Sequence, residues 1–250
     1  YQMTKLILLD VFSYSCMNCL RSFEFIKKID NNYRKFGLQT IIVHPPEWDF
    51  EKKSNNIISA LKKYDIKIPI IVDKDKKIIR KLKINFWPTQ ILISNGKVLY
   101  KHVGEGNYKW LENAIRKLLN ASSNKLFKQE PKYSKFPTVY CGKKKNEKIL
   151  ILNKNLKFGI IYADENWVQN QEYVKSLKAG SSLTTLTKGN TINFVAKSLN
   201  NKPIKVNIKL NNKHIKKIVI NKPQLYNIIK LTSNKSCRLT LTTNKNLAIY

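Results

Sequence analysis

The chain has 250 residues, of which 42% are hydrophobic, and a formal net charge of +31. This apolar content excludes a disordered chain and suffices for one large or two ordinary folded domains. No apolar run reaches the ~18 residues that a membrane span requires.

The positive charge is the first feature that needs an interpretation. Lys supplies 42 of the 47 basic residues and Arg only five, while Asn occurs 28 times. Base and phosphate recognition favours the forked guanidinium of Arg. The lysines are also spread along the chain, and the densest run is Lys143-Lys144-Lys145. We therefore predict no nucleic-acid partner; an anionic membrane face or an acidic protein would suit this surface better.

The first half of the chain alternates apolar runs of strand and helix type. The continuous run KLILLDVF (5–12) is typical of a central strand, and the periodic apolar residues of 20–36 predict a helix that Gly37 ends. Further strands are predicted at 38–44 and 68–73, helices at 55–66, 77–84 and 107–121, and a hairpin at 89–104 around Asn95-Gly96. We expect residues 1–120 to form an α/β domain with a mixed sheet flanked by helices.

The pattern changes after a polar, lysine-rich segment, 121–135, which we interpret as a linker. Short runs with a period of two then follow, broken by Asn, Gly, Pro and Ser, without a helical stretch between them. They are KILILN, KFGIIYA, SSLTTLTK, TINFVAKSL, IKVNIKL, IKKIVIN, YNIIKLT and CRLTLTTN. We predict an antiparallel β-sandwich or jelly roll over 136–250. The formal charge is +11 for residues 1–120 and +20 for 121–250, which also favours two domains.

Cys16 and Cys19 are separated by two residues and lie between the first strand and the first helix. A zinc site needs two further ligands, whereas Cys141 and Cys237 are single and the three histidines have no paired spacing. A structural disulfide here would close almost no loop. A redox pair fits the position, because the N-terminus of a helix favours a thiolate at Cys16 while Cys19 lies one turn further in.

Four segments of the first half carry a resemblance: LLDVFSYSCMNC, VHPPEWDFEK, INFWPTQILIS and HVGEGNY. On these residues the domain resembles a thioredoxin-fold domain of the TlpA/DipZ-like branch. The second half is similar to the carbohydrate-binding-like β-sandwich of DipZ proteins, on YADENWVQNQEYV and the closing LAIY. The chain departs from the pattern in lacking the usual N-terminal hairpin, so we expect it to be part of a longer precursor.

The resemblance implies roles for particular residues. Cys16 would attack a substrate disulfide, Cys19 would resolve the mixed disulfide, and Asp10 would accept the proton of Cys19. Pro88 would be a cis proline packed against the disulfide, and Trp87 would present its backbone to an extended substrate. Near this site, we assign Tyr14, Ser15 and His44 to substrate binding.

The predicted function is an extracytoplasmic thiol–disulfide oxidoreductase that reduces disulfide-containing proteins. The resemblance implies electrons from a membrane domain of the CcdA type, a periplasmic or cell-surface location, possible tethering to the membrane, and a link to cytochrome c biogenesis. No metal or organic cofactor is expected beyond the redox-active disulfide Cys16–Cys19. Two alternatives stay open: an oxidant that donates its disulfide, and a module that binds a glycan or protein and carries a vestigial CxxC.

The second half leaves two questions open at this point. Cys141 and Cys237 are either bonded to each other or buried as free thiols. Trp167 and Tyr173 either form an aromatic platform for a glycan on the C-terminal domain or belong to the core of the sandwich.

Overall fold

A computed structural model describes residues 6–122, 125–129, 138–146, 149–151, 155–231 and 236–250. The chain divides into two compact units, Tyr1–Lys132 and Tyr133–Tyr250. Phe127 lies in the predicted linker, yet it is only 7% exposed, and its ring lies 5.5 Å from Phe25 and 6.2 Å from Tyr108. Part of the predicted linker thus packs into the first unit, while residues 130–137 lie outside the described part of the chain.

The first unit is a five-stranded mixed sheet with helices, as predicted. The strands have the spatial order β3-β2-β1-β4-β5. Strand β1 pairs parallel to β2 and antiparallel to β4, so it lies at the centre of the sheet. The elements are β1 Leu6–Val11, α1 Met17–Tyr33, β2 Leu38–His44, α2 Ser54–Lys63, β3 Ile70–Val72, α3 Lys77–Lys81, β4 Thr89–Ser94, β5 Lys97–Val103 and α4 Tyr108–Leu119.

Local sequence explains how these elements begin and end. Helix α1 continues as a short 3-10 helix, Arg34–Phe36, and the chain leaves it at Gly37 with a φ of 99°, which glycine adopts without strain. Asn95 and Gly96 both have positive φ, as the type I′ turn of the β4–β5 hairpin requires. The apolar run of β1 places Leu8 and Val11 in the core, both with no exposed surface.

The second unit consists of two sheets, in line with the predicted sandwich. Their strand orders are β13-β12-β15-β10-β7-β6 and β14-β11-β16-β9-β8, and every pairing is antiparallel except β6 with β7. One apolar core contains side chains of both sheets, among them Val206 and Leu239 from the first and Ala196 and Leu247 from the second. The strands are β6 Leu150–Ile151, β7 Ile161–Ala163, β8 Trp167–Gln169, β9 Val174–Ser176, β10 Ser181–Lys188, β11 Thr191–Ser198, β12 Ile204–Leu210, β13 Lys213–Ile220, β14 Gln224–Lys230, β15 Ser236–Thr243 and β16 Leu247–Ile249.

Some elements differ from the sequence prediction. Strands β8 and β9 have three residues each, which is too short for a period of two to stand out. The predicted strand 148–153 falls partly outside the described residues, and β6 is the part that is seen. Within the described ranges, residues 138–250 contain no helix. Across both units, the described helices are too short or too polar to cross a membrane.

Candidate active site

The two cysteines of the CxxC stand at the start of α1. Cys16 is the N-cap residue, with extended backbone angles, and its Sγ accepts a hydrogen bond from the Cys19 backbone N–H at 3.3 Å. Cys16 is partly exposed, whereas Cys19 has no exposed surface. Both are free thiols. Burial, reinforced by the neighbouring Cys16, raises the pKa of the Cys19 thiol well above its usual range, so Cys19 needs a proton acceptor to become a nucleophile.

The loop before β4 lies directly beside Cys16. The Trp87–Pro88 peptide bond is cis, as the resemblance implied. The Cys16 thiol faces the Trp87 carbonyl oxygen, with 3.9 Å between the sulfur and the oxygen. Pro88 is buried, and its carbonyl accepts a hydrogen bond from the Gly104 N–H at 2.8 Å. Phe86, which precedes Trp87, is 70% exposed. The more accessible thiol therefore faces the backbone of a loop that also carries an exposed aromatic side chain.

Asp10 lies in the middle of β1 with no exposed surface. The Gln90 side-chain amide donates to Asp10 Oδ1 at 2.9 Å and to Ser22 Oγ at 3.2 Å. Burial raises the pKa of Asp10 to about 7, and the hydrogen bond from Gln90 partly opposes that rise. The charge of Asp10 also contributes to raising the pKa of Cys19, which places the two groups close together.

Three residues predicted to bind substrate are buried in the structure. Tyr14, Ser15 and His44 are 2%, 3% and 0% exposed. The Tyr14 ring lies 5.4 Å from that of His44 and 6.2 Å from that of Phe50, and His44 Nδ1 lies 3.0 Å from the Phe12 carbonyl oxygen. Side chains buried to this degree are not presented to a docking protein in this structure, and their assignment to substrate binding stays a prediction.

The sequence prediction missed Glu51, which has no exposed surface. It lies in a 3-10 helix, Asp49–Lys52, after β2. Its Oε1 accepts hydrogen bonds from Ser13 Oγ at 2.8 Å, Ser15 Oγ at 2.6 Å and Ser15 N–H at 3.3 Å, and its Oε2 accepts from Glu47 N–H at 2.5 Å. Asp49, two residues away, is exposed, and no local pattern separates the two carboxylates.

A second contact missed in the sequence reaches the residues between the cysteines. Arg21 on α1 forms a bidentate pair with Glu105, with N···O distances of 2.8 and 2.7 Å. The same guanidinium donates to Asn18 Oδ1 at 2.6 Å. Glu105 lies in the loop between β5 and α4, so this ion pair connects the first turns of α1 to that loop.

The other two cysteines of the chain lie in the second unit. Cys141 and Cys237 are free, buried thiols of its core, and burial raises the pKa of Cys141 to about 12. Trp167 packs against the same core, and the Tyr173 ring lies 5.3 Å from that of Tyr250. In the part of the chain that the structure describes, no three His, Cys, Asp or Glu side chains group as metal ligands would.

Comparisons with known proteins find similarity to redox proteins of several kinds. Residues 1–119 match the Redoxin family model. The chain is 34% identical over 117 residues to Protein DipZ of Mycobacterium bovis, which covers 46% of this chain and 17% of DipZ. It is 28% identical over 115 residues to the thiol-disulfide oxidoreductase ResA of Bacillus cereus, covering 46% of this chain and 64% of ResA. A crystal structure of a thiol:disulfide interchange protein, DsbE, from Chlorobium tepidum aligns with a TM-score of 0.42 and 25% identity, over 47% of this chain and 82% of that one.

Residues 1–119 thus have the fold of a thioredoxin-like domain and are similar in sequence to the Redoxin family, to DipZ and to ResA. The matched segment spans about a sixth of DipZ, so the similarity concerns this domain and not the length of that relative.

Proposed function

We propose that the protein is a thiol–disulfide oxidoreductase that reduces disulfides of partner proteins. The observation that carries this proposal is the pairing of two unequal thiols. Cys16 is accessible beside the cis-Pro88 loop, and Cys19 is fully buried behind it, close to Asp10. An exposed attacking thiol and a protected resolving thiol are what a two-step exchange needs.

The proposed reaction transfers two electrons to the substrate. The Cys16 thiolate attacks one sulfur of the substrate disulfide, the substrate S–S bond breaks, and the other sulfur leaves as a thiol after taking up a proton. Asp10 accepts the proton of Cys19, whose thiolate then attacks Cys16 Sγ in the mixed disulfide. The second substrate thiol is released, and the Cys16–Cys19 disulfide stores the oxidation. The Trp87 backbone and Pro88 align the substrate chain.

The proposed setting is extracytoplasmic, with electrons supplied by a membrane domain of the CcdA type. The support is the similarity to DipZ and ResA, together with the DipZ-like arrangement of a redox domain followed by a β-sandwich. The supplying domain would reduce the Cys16–Cys19 bond again and so close the cycle. A glycan or a protein bound to the sandwich would be a further partner of the same proposal.

Reduction of insulin by the full chain, with dithiothreitol as the electron source, tests the activity. We expect Cys16→Ser to abolish the catalysed rate and Cys19→Ser to accumulate a mixed disulfide with the substrate. Cys237→Ala is the matched control, because that thiol lies in the core of the second unit. Turnover that survives Cys16→Ser would show that the CxxC is not the redox centre.

A further inference from the structure

Glu51 is a buried carboxylate for which the exchange reaction just described has no step. Ionised carboxylates are costly to bury unless hydrogen bonds replace water. Glu51 accepts four such bonds, and they come from two places: Ser13 and Ser15 in the segment before Cys16, and the backbone of Glu47. One carboxylate thus ties together two loops that are distant in sequence.

The Glu47 side chain continues this connection to the substrate loop. Glu47 Oε2 accepts a hydrogen bond from Trp87 Nε1 at 3.2 Å, and the Trp87 carbonyl oxygen lies 3.9 Å from Cys16 Sγ. The contacts therefore close a ring, from Cys16 through Ser15, Glu51, Glu47 and Trp87 back to Cys16. We call Ser13, Ser15, Glu47, Glu51 and Trp87 the Glu51 network.

We propose that Glu51 is a positioning residue of the redox centre, which fixes the segment before Cys16 against the Trp87 loop. The inference rests on the proposed function in that the centre exchanges disulfides. An attacking sulfur must be held toward the incoming disulfide for the exchange to be fast. The network therefore sets how Cys16 is presented to a substrate.

Glu51 is held by groups from several parts of the unit. Burial is the largest influence on its pKa and raises it, while the charge of His44, the Ser15 hydroxyl and the Glu47 N–H partly oppose that rise. These groups come from the end of β2, from the loop before α1 and from the loop after β2. Two hydroxyl and two backbone donors thus fix the position of the carboxyl group.

Glu112 provides a matched control in the same unit. It is a buried glutamate, 1% exposed, that accepts hydrogen bonds from Tyr33 Oη at 2.6 Å and from the Leu126 and Phe127 N–H groups at 2.6 and 3.0 Å. Tyr33 ends α1, which begins next to Cys16, so this carboxylate lies about 25 Å from the redox centre along the helix. Glu112→Gln changes a buried, hydrogen-bonded carboxyl group of the same kind without touching the Glu51 network.

The test compares Glu51→Gln with Glu112→Gln in the full chain. With Glu51→Gln we expect iodoacetamide to alkylate Cys16 severalfold faster. Glutamine offers one acceptor oxygen where Glu51 uses two, so the segment before Cys16 is held less firmly against the Trp87 loop. Glu112→Gln should lower thermal stability and leave the alkylation rate unchanged. Values for Glu51→Gln that equal those of Glu112→Gln, or that shift the other way, would overturn the proposal.

Trp87→Phe tests the same positioning from the other end of the network and does not depend on the folding of the Glu51 variant. It removes the Nε1–H donor to Glu47 but keeps an aromatic ring and leaves Glu51 in place. We expect severalfold faster alkylation of Cys16, as in Glu51→Gln, and an unchanged rate would overturn the proposal. Alkylation needs no turnover, so a failure to reduce insulin would count against the proposed function alone.

Discussion

Asp10 shows at the scale of one residue how a site group can oppose stability. Its carboxyl group is fully buried, and one of its oxygens, Oδ2, has no hydrogen-bond partner among the described residues. Burial raises its pKa from 3.8 to about 7. The folded state therefore holds the proton of Asp10 more tightly than the unfolded chain does. The contribution of Asp10 to the free energy of unfolding is most favourable below about pH 4 and falls as the pH rises to about 7.

Asp10→Asn is therefore expected to stabilise the protein at pH 8 while slowing catalysis. Above pH 7 the ionised carboxylate costs about 4 kcal/mol of the free energy of unfolding, and the neutral amide avoids that cost. Urea unfolding of both proteins measures the difference, which should vanish near pH 4. The variant should also lose most of its insulin reduction, because the proposed mechanism assigns Asp10 as the proton acceptor of Cys19. If the difference in the free energy of unfolding between Asp10→Asn and the unmodified protein were the same at pH 4 and pH 8, Asp10 would not be a buried group that ionises in this range.

The hydrogen bond from Gln90 lowers the pH at which the buried Asp10 ionises. Its amide stabilises the charged form of Asp10, so Gln90→Leu is expected to raise the pKa of Asp10 further. The pH midpoint of insulin reduction should then move upward, which a rate profile from pH 5 to pH 9 measures. Gln39→Leu, an exposed glutamine on β2, is the control. If the midpoint stays the same in Gln90→Leu, the pH dependence of insulin reduction does not arise from Asp10.

Residues with a local signature were predictable from the sequence, and residues defined by distant partners were not. Cys16, Cys19 and Asp10 follow from a CxxC that opens a helix after a buried strand, and Pro88 from its position before a strand in a matching motif. The partners of Glu51 on the CxxC side are 36 and 38 positions away, so nothing in DFEK distinguished it.

At the scale of elements, an aromatic cluster joins the middle of α1, the start of α4 and the segment after α4. Phe25 and Tyr108 stack with ring centroids 4.2 Å apart, and Phe127 closes the cluster from beyond α4. Phe127→Ala is expected to cost about 3–5 kcal/mol of the free energy of unfolding of the first unit, through lost contacts and a cavity. Chemical denaturation measures it. Phe86→Ala, where the ring is 70% exposed, should cost far less, and similar losses would mean that Phe127 is not part of the core.

Element predictions succeeded where a pattern was long enough. The five strands of the first unit and the hairpin turn at Asn95-Gly96 were predicted within a few residues, because continuous apolar runs and turn residues mark them. Helices α2 and α3 are shorter than predicted, ending at Lys63 and Lys81, because apolar periodicity continues past their last helical residue. Strands β8 and β9 were missed, since three residues do not establish a period.

At the scale of the whole molecule, the chain combines a redox unit with a β-sandwich whose own thiols are buried. Its net charge of +31 arises mainly from lysine, and the absence of a nucleic-acid partner stays a prediction. The similarity to DipZ covers 46% of this chain and 17% of DipZ. The proposed chemistry depends on the Cys16–Cys19 pair, and the proposed direction of electron flow depends on how stable the disulfide of that pair is.

The reduction potential of the Cys16–Cys19 pair tests the central claim most directly. The full chain is equilibrated with graded ratios of glutathione or dithiothreitol, and free thiols are mass-tagged. A potential close to the thioredoxin end of the scale, about −270 mV, is the result that the account predicts, because it makes the pair a donor of electrons. A value close to about −120 mV would contradict it, because the protein would then introduce disulfides into its partners.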